Sequence, residues 1–225
     1  MDAGNVICIR ISPQQGAVII EEQEGPVITR KEISRESLLD CFRESLKLED
    51  SGFFSGFLPL NCLSVWQGRT GLRLVLWHPR LRADVALFDT PYPDFPIPRL
   101  VFAFSVDTQG KVSSCRIGVV ADESPGPDTV MYHYPFSNVS EADGYLCVGA
   151  NTLPAYKKLH KAVHLPAFLL GIPNNMHSYY ITHNKPGLEY RDLMEHLKDK
   201  EPSYYYSDIL IPNGQTLGEF IRSGK

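Results

Sequence analysis

The chain of 225 residues lacks most of the signals that mark common protein classes. It has no basic excess, because 22 Lys and Arg stand against 26 Asp and Glu and leave a formal charge of -4. Neither nucleic acid nor an anionic membrane surface is therefore expected as a main partner. No apolar run approaches the roughly 18 residues of a membrane span, and Asp2 stands where a secretion signal carries a basic residue. We expect a cytoplasmic protein.

The motifs of several enzyme classes are also missing. The five cysteines form no Cys-x-x-Cys pair, which argues against a disulfide framework and a compact zinc site. His160 and His164 are four residues apart, but no Glu between them completes the H-E-x-x-H pattern of zinc peptidases. No G-x-S-x-G segment, phosphate-binding loop or dinucleotide-binding glycine pattern occurs. The sequence predicts neither a metal site nor a bound cofactor.

The first half of the chain is rich in strand patterns. With 43% hydrophobic residues the chain can bury a real core. Ser34 is placed to cap an amphipathic helix over about 35–47, and the four prolines of 90–98 predict an extended loop. Runs of β-branched and aromatic residues predict strands at 6–12, 17–20, 26–30, 62–67, 72–78, 83–88, 99–107 and 113–120.

The second half is less regular. Residues 129–154 are rich in Pro, Asn and Gly, and long irregular segments inside compact domains are usually functional. Helices are predicted from 155 up to Pro166, over 187–199 and within 214–224. We predict a single domain over 1–225. It comprises an N-terminal β elaboration (1–32), a core (33–175) that contains the loop 129–154, and a C-terminal helical elaboration (176–225).

Cys147 differs from the other cysteines because turn formers surround it. Asp143 and Gly144 precede it and Gly149 follows it, so we expect it in a surface loop, where a thiol can ionise and act as a nucleophile. The alternative is a small buried apolar side chain, since free cysteine is often buried. The remaining four lie in predicted strands or the predicted helix and are assigned to structure: Cys8, Cys41, Cys62 and Cys115.

Two further side chains could assist Cys147. A thioester forms and breaks through a tetrahedral oxyanion, and the amide of Asn138 could donate a hydrogen bond to that oxygen. The alternative is that Asn138 only closes a turn. His133 lies fourteen residues before Cys147 and is a candidate base, although the sequence does not place the two together.

The segments TVMYHYPFSNV and DGYLCVGANTLP resemble the active-site region of ubiquitin-conjugating enzymes, in which a His-Pro-Asn turn precedes the acceptor cysteine. Here Tyr-Pro-Phe-Ser-Asn stands in place of that turn. Asn138 lies nine positions before Cys147 rather than the usual eight. Further blocks in the same order, LPLNCLSVWQ, LVLWHPRLRADVALF, PRLVFAF and ILIPNGQTLGEFI, resemble the PRTRC system protein B group. That group is the prokaryotic ubiquitin-conjugating-enzyme-like family D.

The resemblance implies an α+β ubiquitin-conjugating-enzyme-like fold, an antiparallel β-meander with flanking helices and N- and C-terminal elaborations. It implies that Cys147 accepts a ubiquitin-like protein as a thioester from an adenylating activating enzyme and transfers it to a target nucleophile. The same operon would also supply a JAB-type metallopeptidase, in a bacterial conjugation or antiphage defence setting. Arg35 and Arg43 on the first helix would dock the activating enzyme. The alternative is that these charges belong to a merely solvated helix face.

By the same resemblance, five further residues are candidates for a supporting role around the Cys147 thiol. They are His133, Tyr134, Asp143, Asn174 and His177. Two other functions remain open from the sequence. One is a catalytically inactive module of the same fold that binds a ubiquitin-like protein, and the other is a hydrolase that pairs Cys147 with His133 or His164.

Overall fold

A computed structural model describes residues 6–11, 17–45, 56–68, 71–121 and 123–223. Contacts divide the chain into two compact units, residues 1–54 and 55–225, and each is described by itself. Antiparallel sheets and short helices make up the structure, which confirms the predicted α+β class. No helix in these ranges has the length and apolarity needed to span a bilayer. The single-domain organisation stays a prediction.

The first unit contains a three-stranded antiparallel sheet and a helix. The strands β1 (Val6–Ile11), β2 (Ala17–Glu24) and β3 (Val27–Ser34) pair in that order, as the β-branched runs predicted. Helix α1 (Arg35–Ser45) begins directly after Ser34, whose Oγ accepts a hydrogen bond from the Ser37 N–H at 3.0 Å. This side-chain cap is the one predicted from the sequence. Residues 46 and 47 of the predicted helix lie outside the described residues.

The second unit is built on a six-stranded antiparallel sheet of β4 (Cys62–Gly68), β5 (Gly71–His78), β8 (Leu100–Asp107), β9 (Val112–Val120), β10 (Val130–Tyr132) and β11 (Pro212–Thr216). Their spatial order is β11-β10-β9-β8-β5-β4. The predicted hairpins β4–β5 and β8–β9 are both confirmed, and β8 is apolar because both of its faces are largely buried.

A separate two-stranded ribbon corrects one prediction. Strand β6 (Leu81–Leu87) pairs with β7 (Thr90–Ile97), so the proline-rich segment is a strand and its prediction as an extended loop was wrong. Each strand of a two-stranded ribbon has only one partner, and edge strands are where proline is tolerated. A register shift between Ala83 and Val85 accommodates Asp94, whose φ is 49°.

The helices of the second unit are short. They are α2 (Leu165–Leu170), α3 (Tyr190–Leu197) and α4 (Leu217–Arg222), with 3-10 turns at Leu159–His164 and Ile181–His183 and a π-helical turn at Tyr205–Ile209. Pro166 lies in the first turn of α2, so the prediction that a helix ends there was wrong. Proline is well accommodated in a first turn because its missing N–H has no intrahelical acceptor there. Thr216 and Glu219 form a reciprocal capping box at the start of α4.

The six-stranded sheet buries both faces because alternate side chains of a strand point to opposite sides. On one face, Phe102 and Phe104 pack with residues of the β6–β7 ribbon, α2 and α3 in the main core. On the other face, Val101 and Met131 pack with Phe220 of α4. The irregular segment after β10 covers the end of the main core, and the candidate site lies there.

Candidate functional site

Residues 138–147 form a small hairpin, called here the thiol hairpin. The Cys147 N–H donates to the Asn138 carbonyl at 2.8 Å, and the Ser140 N–H donates to the Tyr145 carbonyl at 2.9 Å. Between these bonds, Val139 and Leu146 lie opposite each other as an antiparallel bridge. The two candidate catalytic residues, nine positions apart in the chain, are thereby direct cross-strand neighbours.

Strand β9 holds the returning limb of the thiol hairpin. The Leu146 N–H donates to the Cys115 carbonyl, and the Ile117 N–H donates to the Gly144 carbonyl, both at 2.9 Å. Gly144 has φ 72°, and a Cβ at this position would lie 3.1 Å from the Ile117 carbonyl oxygen. The glycine is therefore required both by its left-handed backbone and by its close approach to β9.

Asn138 performs its structural role with its backbone alone. Its N–H donates to the His177 carbonyl at 2.7 Å, its carbonyl accepts from Cys147, and its φ of 66° lies in the left-handed region that asparagine tolerates. The residue is only 8% exposed. Within the described part of the chain, its side-chain amide has no hydrogen-bond partner. This amide is therefore available to a ligand in the space that it lines.

That space is a cavity of about 30 Å³ next to Cys147. Its polar lining comes from Cys147, Asn138, Asn174 and Tyr134. The remainder of the lining is apolar and comes from both sheets and from the helical layer: Val85, Phe95, Ile97, Phe102, Ile117, Phe136, Leu146, Val148, Leu169, Leu170, Ile172 and Met194. The thiol thus stands at a mostly apolar pocket with a small number of polar groups, which is the usual composition of a ligand site.

Exposure alone does not distinguish Cys147 among the five thiols. Cys147 is exposed, but so are Cys8 and Cys41, which the sequence assigned to structural roles. Cys115 is buried and Cys62 is partly buried, and burial raises the pKa of both thiols, which lowers their reactivity. What distinguishes Cys147 is the pocket with the unpartnered Asn138 amide beside it.

His133 lies at a different cavity. Its ring stacks on His183 with 4.1 Å between centroids, and the Nε2 atom of His183 lies 3.3 Å from a carboxylate oxygen of Glu141. Burial lowers the pKa of His133, and the adjacent His183 lowers it further. These residues line a separate cavity of about 210 Å³, in which Cys147 takes no part. Neither His133 nor the exposed His164 lines the Cys147 pocket, so the structure does not bring the predicted Cys/His pair together.

The other candidate supporting residues divide into two groups. Tyr134 lines the Cys147 pocket and packs edge-on against Phe136 at 5.3 Å between centroids, and burial raises the pKa of its phenol. Asp143 lies at the exposed tip of the thiol hairpin, where the Ser140 hydroxyl lowers its pKa and its Oδ1 accepts the Tyr145 N–H at 3.1 Å. Asp143 therefore shapes the turn and does not line the pocket.

Asn174 and His177 reach the site in different ways. The Asn174 side chain lines the pocket, and the Ser137 hydroxyl donates to its Oδ1 at 3.5 Å. Its backbone bonds tie it to the ribbon at Ala86. His177 is exposed and contributes only its carbonyl, which accepts the Asn138 N–H. Of these two candidates, only Asn174 lines the pocket.

Arg35 and Arg43 both belong to α1 of the first unit. Arg35 begins the helix and is exposed. Arg43 lies in the last turn of the helix. Their predicted role in binding a partner stays a prediction.

Sequence reasoning missed Arg116, which supports the thiol hairpin from β9. Its Nε donates to the Asp143 carbonyl at 2.5 Å, and its Nη1 donates to the carbonyls of Phe220 and Ser223 at 3.1 and 2.8 Å. The guanidinium also lies 4.6 Å from the centroid of the Phe220 ring. A charged residue inside the otherwise apolar run CRIGVV was the signal that could have revealed it.

We expect Arg116→Met to lower the free energy of unfolding by about 2 kcal/mol, because hydrogen bonds from a charged donor are worth roughly 1.5–3 kcal/mol. Urea unfolding measures this change. Arg73→Met is a matched control, since the Arg73 guanidinium makes a single bond to the Ile221 carbonyl at 3.0 Å. Equal decreases in the free energy of unfolding of the two variants would show that the hydrogen bond from Arg116 to the thiol hairpin does not stabilise the fold.

The comparison with known families decides the assignment. The model of prokaryotic E2 family D matches residues 42–212, more than half of the chain, and E2 denotes a ubiquitin-conjugating enzyme. The chain belongs to prokaryotic E2 family D. The match includes the whole thiol hairpin and the pocket residues. No curated protein and no solved structure matches the chain. The family assignment made from the sequence is thereby confirmed, and it indicates a ubiquitin-conjugating-like role.

Proposed function

We propose that this member of prokaryotic E2 family D is a conjugating enzyme that carries a ubiquitin-like protein as a thioester on Cys147. The observation that carries the proposal is the presence, at one pocket, of an exposed thiol and of the largely buried residue Asn138, whose side-chain amide has no hydrogen-bond partner among the described residues. Thioester exchange needs a nucleophilic sulfur and a donor for the developing oxyanion. The thiol hairpin supports both roles from adjacent positions.

The proposed reaction has two acyl-transfer steps. In the first, the Cys147 thiolate attacks the thioester carbonyl held by the activating enzyme, and the sulfur of that enzyme leaves as a thiolate. In the second, an amine of the target attacks the new thioester, loses a proton, and expels the Cys147 thiolate. Each step passes through a tetrahedral intermediate whose oxyanion accepts a hydrogen bond from the Asn138 amide. ATP is consumed by the activating enzyme, so this chain needs no nucleotide site of its own.

The same proposal includes the finer features implied by the family resemblance. The second unit adopts the ubiquitin-conjugating-enzyme-like fold, and the protein works in the cytoplasm with a ubiquitin-like protein and an adenylating enzyme. A JAB-type metallopeptidase from the same PRTRC-like or defence operon removes or matures the conjugate. An inactive binding module has no need for an exposed thiol beside an unpartnered amide. A Cys/His hydrolase needs a histidine at Cys147, and none lines the described pocket.

A charging assay tests the proposal. The protein is incubated with ATP and with the ubiquitin-like protein and activating enzyme encoded beside it, and the products are separated with and without reductant. We expect an adduct of the two proteins that reductant removes and that requires ATP. Absence of this adduct, with an activating enzyme shown to load itself, would contradict the proposed function. Release of free acyl groups without any partner would favour the hydrolase instead.

The proposed partner contact on α1 gives a separate prediction. The double variant Arg35→Glu, Arg43→Glu should slow charging about tenfold at low salt and make charging less sensitive to salt, because favourable charge pairs accelerate association. Charging rates at several salt concentrations measure this effect. Lys157→Glu with Lys158→Glu is the matched control, since both lysines are exposed in the other unit. If both double variants slow charging equally, the charging rate depends only on the net charge of the protein, and the proposed contact on α1 is contradicted.

A further inference from the structure

The pocket at Cys147 has a mostly apolar wall that reaches the main core. Phe95, Phe102 and Ile117 in its wall belong to the main core, whereas Leu146, Val148 and Ile172 are only partly buried. The partly buried residues mark the open end of the pocket and the fully buried residues its floor. An apolar group attached to a carbonyl at Cys147 would enter this space.

The polar and apolar parts of the lining match the two parts of a small acyl thioester. Cys147 and Asn138 face a reacting carbonyl, as in the proposed transfer reaction, and the aromatic and aliphatic walls face whatever is attached to that carbonyl. We propose that the pocket binds a short aliphatic acyl chain, so that Cys147 accepts short acyl groups from small thioesters. The inference rests on the proposed role of Cys147 as an acyl acceptor, but it requires no protein partner.

The size of the cavity limits the length of the chain. A cavity of 10–15 Å³ holds roughly one water-sized group, so the 30 Å³ beside Cys147 holds about two to three. Beyond the carbonyl carbon, this space takes an ethyl or a propyl group. Propionyl and butyryl groups should therefore fit, and a hexanoyl chain should be too long.

The reaction is a thiol–thioester exchange. The Cys147 thiolate attacks the carbonyl carbon of the small thioester, a new carbon–sulfur bond forms, and the donor thiol leaves as its thiolate. The oxyanion of the intermediate accepts a hydrogen bond from the Asn138 amide. No oxidant, metal or nucleotide takes part, and the acyl group remains on Cys147 until a second nucleophile removes it.

A chain-length series provides the test. The full-length protein is incubated with the acetyl, propionyl, butyryl and hexanoyl thioesters of N-acetylcysteamine, and the initial acylation of each cysteine is measured by peptide mass. The exposed thiols of Cys8 and Cys41 serve as internal controls, because neither lines this pocket. Relative to them, acylation of Cys147 should rise about fourfold per added methylene up to butyryl, the effect of burying one such group, and then fall.

Variants of the pocket mouth test whether the wall sets this preference. Ile172→Ala should move the optimum at Cys147 toward hexanoyl, and Val148→Phe should move it toward acetyl. Alkylation of Cys147 by iodoacetamide, which has no chain to bury, should be unchanged in Ile172→Ala. If that variant unfolds, Val148→Ala replaces it, and the same shift toward longer chains is expected.

A chain-length profile at Cys147 that parallels those of Cys8 and Cys41 would overturn the inference. An optimum that does not move in either wall variant would overturn it as well. The proposed function is tested independently, because charging with the ubiquitin-like protein does not depend on chain length. Failure in the small-thioester series together with normal charging would contradict only the acyl-chain site. The expected chain-length profile without any charging would contradict only the proposal that Cys147 carries a ubiquitin-like protein.

Discussion

Cys147→Ala is expected to abolish the reductant-labile adduct with the ubiquitin-like protein completely, and Cys147→Ser to replace it with a slower, reductant-resistant ester. The physical reason is that a hydroxyl forms an oxygen ester, which thiols do not readily exchange. The fold should survive both changes, because Cys147 is exposed and its structural bond to Asn138 comes from the backbone N–H. Gel separation with and without reductant, together with a thermal unfolding curve, measures both expectations.

The other exposed thiols supply the controls for Cys147. Cys41→Ser and Cys8→Ser should charge at the rate of the unmodified protein, since neither thiol lines the pocket at Cys147 and Asn138. A labile adduct that persists in Cys147→Ser and disappears in either control variant would place the acceptor in the first unit. The pocket would then lose its assigned role.

Asn138→Ala is expected to slow discharge of the loaded thioester by roughly 10²-fold, the scale of one lost oxyanion donor. Loading should suffer less than discharge. The free energy of unfolding should fall by only about 1 kcal/mol, because the side chain makes no hydrogen bond among the described residues and alanine is disfavoured at φ 66°. Single-turnover discharge to free lysine, normalised to folded protein, is the measurement.

Two further substitutions separate catalysis from backbone strain at Asn138. Asn138→Gly removes the amide, but glycine adopts φ 66° without penalty. This variant should therefore be more stable than Asn138→Ala and should still discharge the thioester slowly. Asn138→Asp keeps the shape but replaces the NH₂ donor with a carboxylate oxygen, so it should also be slow. Normal discharge by the glycine variant would show that the asparagine only closes the turn.

The periodic part of the fold could be predicted from the sequence because alternation and β-branching report directly on half-buried strands. The strands of both hairpins and the cap at Ser34 follow from neighbours a few positions apart. Cys147 could be singled out in the same way, because Gly144 and Gly149 enforce a turn around it. Local backbone chemistry was sufficient in each of these cases.

The remaining features depend on contacts distant in the chain. The strand at Thr90–Ile97 was missed because edge position, which makes proline acceptable, is a property of the sheet and not of the segment. Placement of Pro166 in the first turn of α2 depends on where the preceding turn ends. His133 was a reasonable partner for Cys147 by spacing, but stacking on His183 holds it at another cavity. The spacing of the residues in the sequence could not show which cavity His133 lines.

The pairing across the thiol hairpin has a consequence for engineering. Asn138 and Cys147 are joined by a backbone hydrogen bond, and the bridge between Val139 and Leu146 braces them, so the pairing next to the thiol is made outside the tip of the hairpin. A chain in which the asparagine and the cysteine are eight or ten positions apart, instead of nine, can keep the same pairing when the difference in length falls within the tip. Exposed Ala142 at that tip is therefore a natural insertion point for a short reporter sequence, placed within reach of the thiol without displacing it.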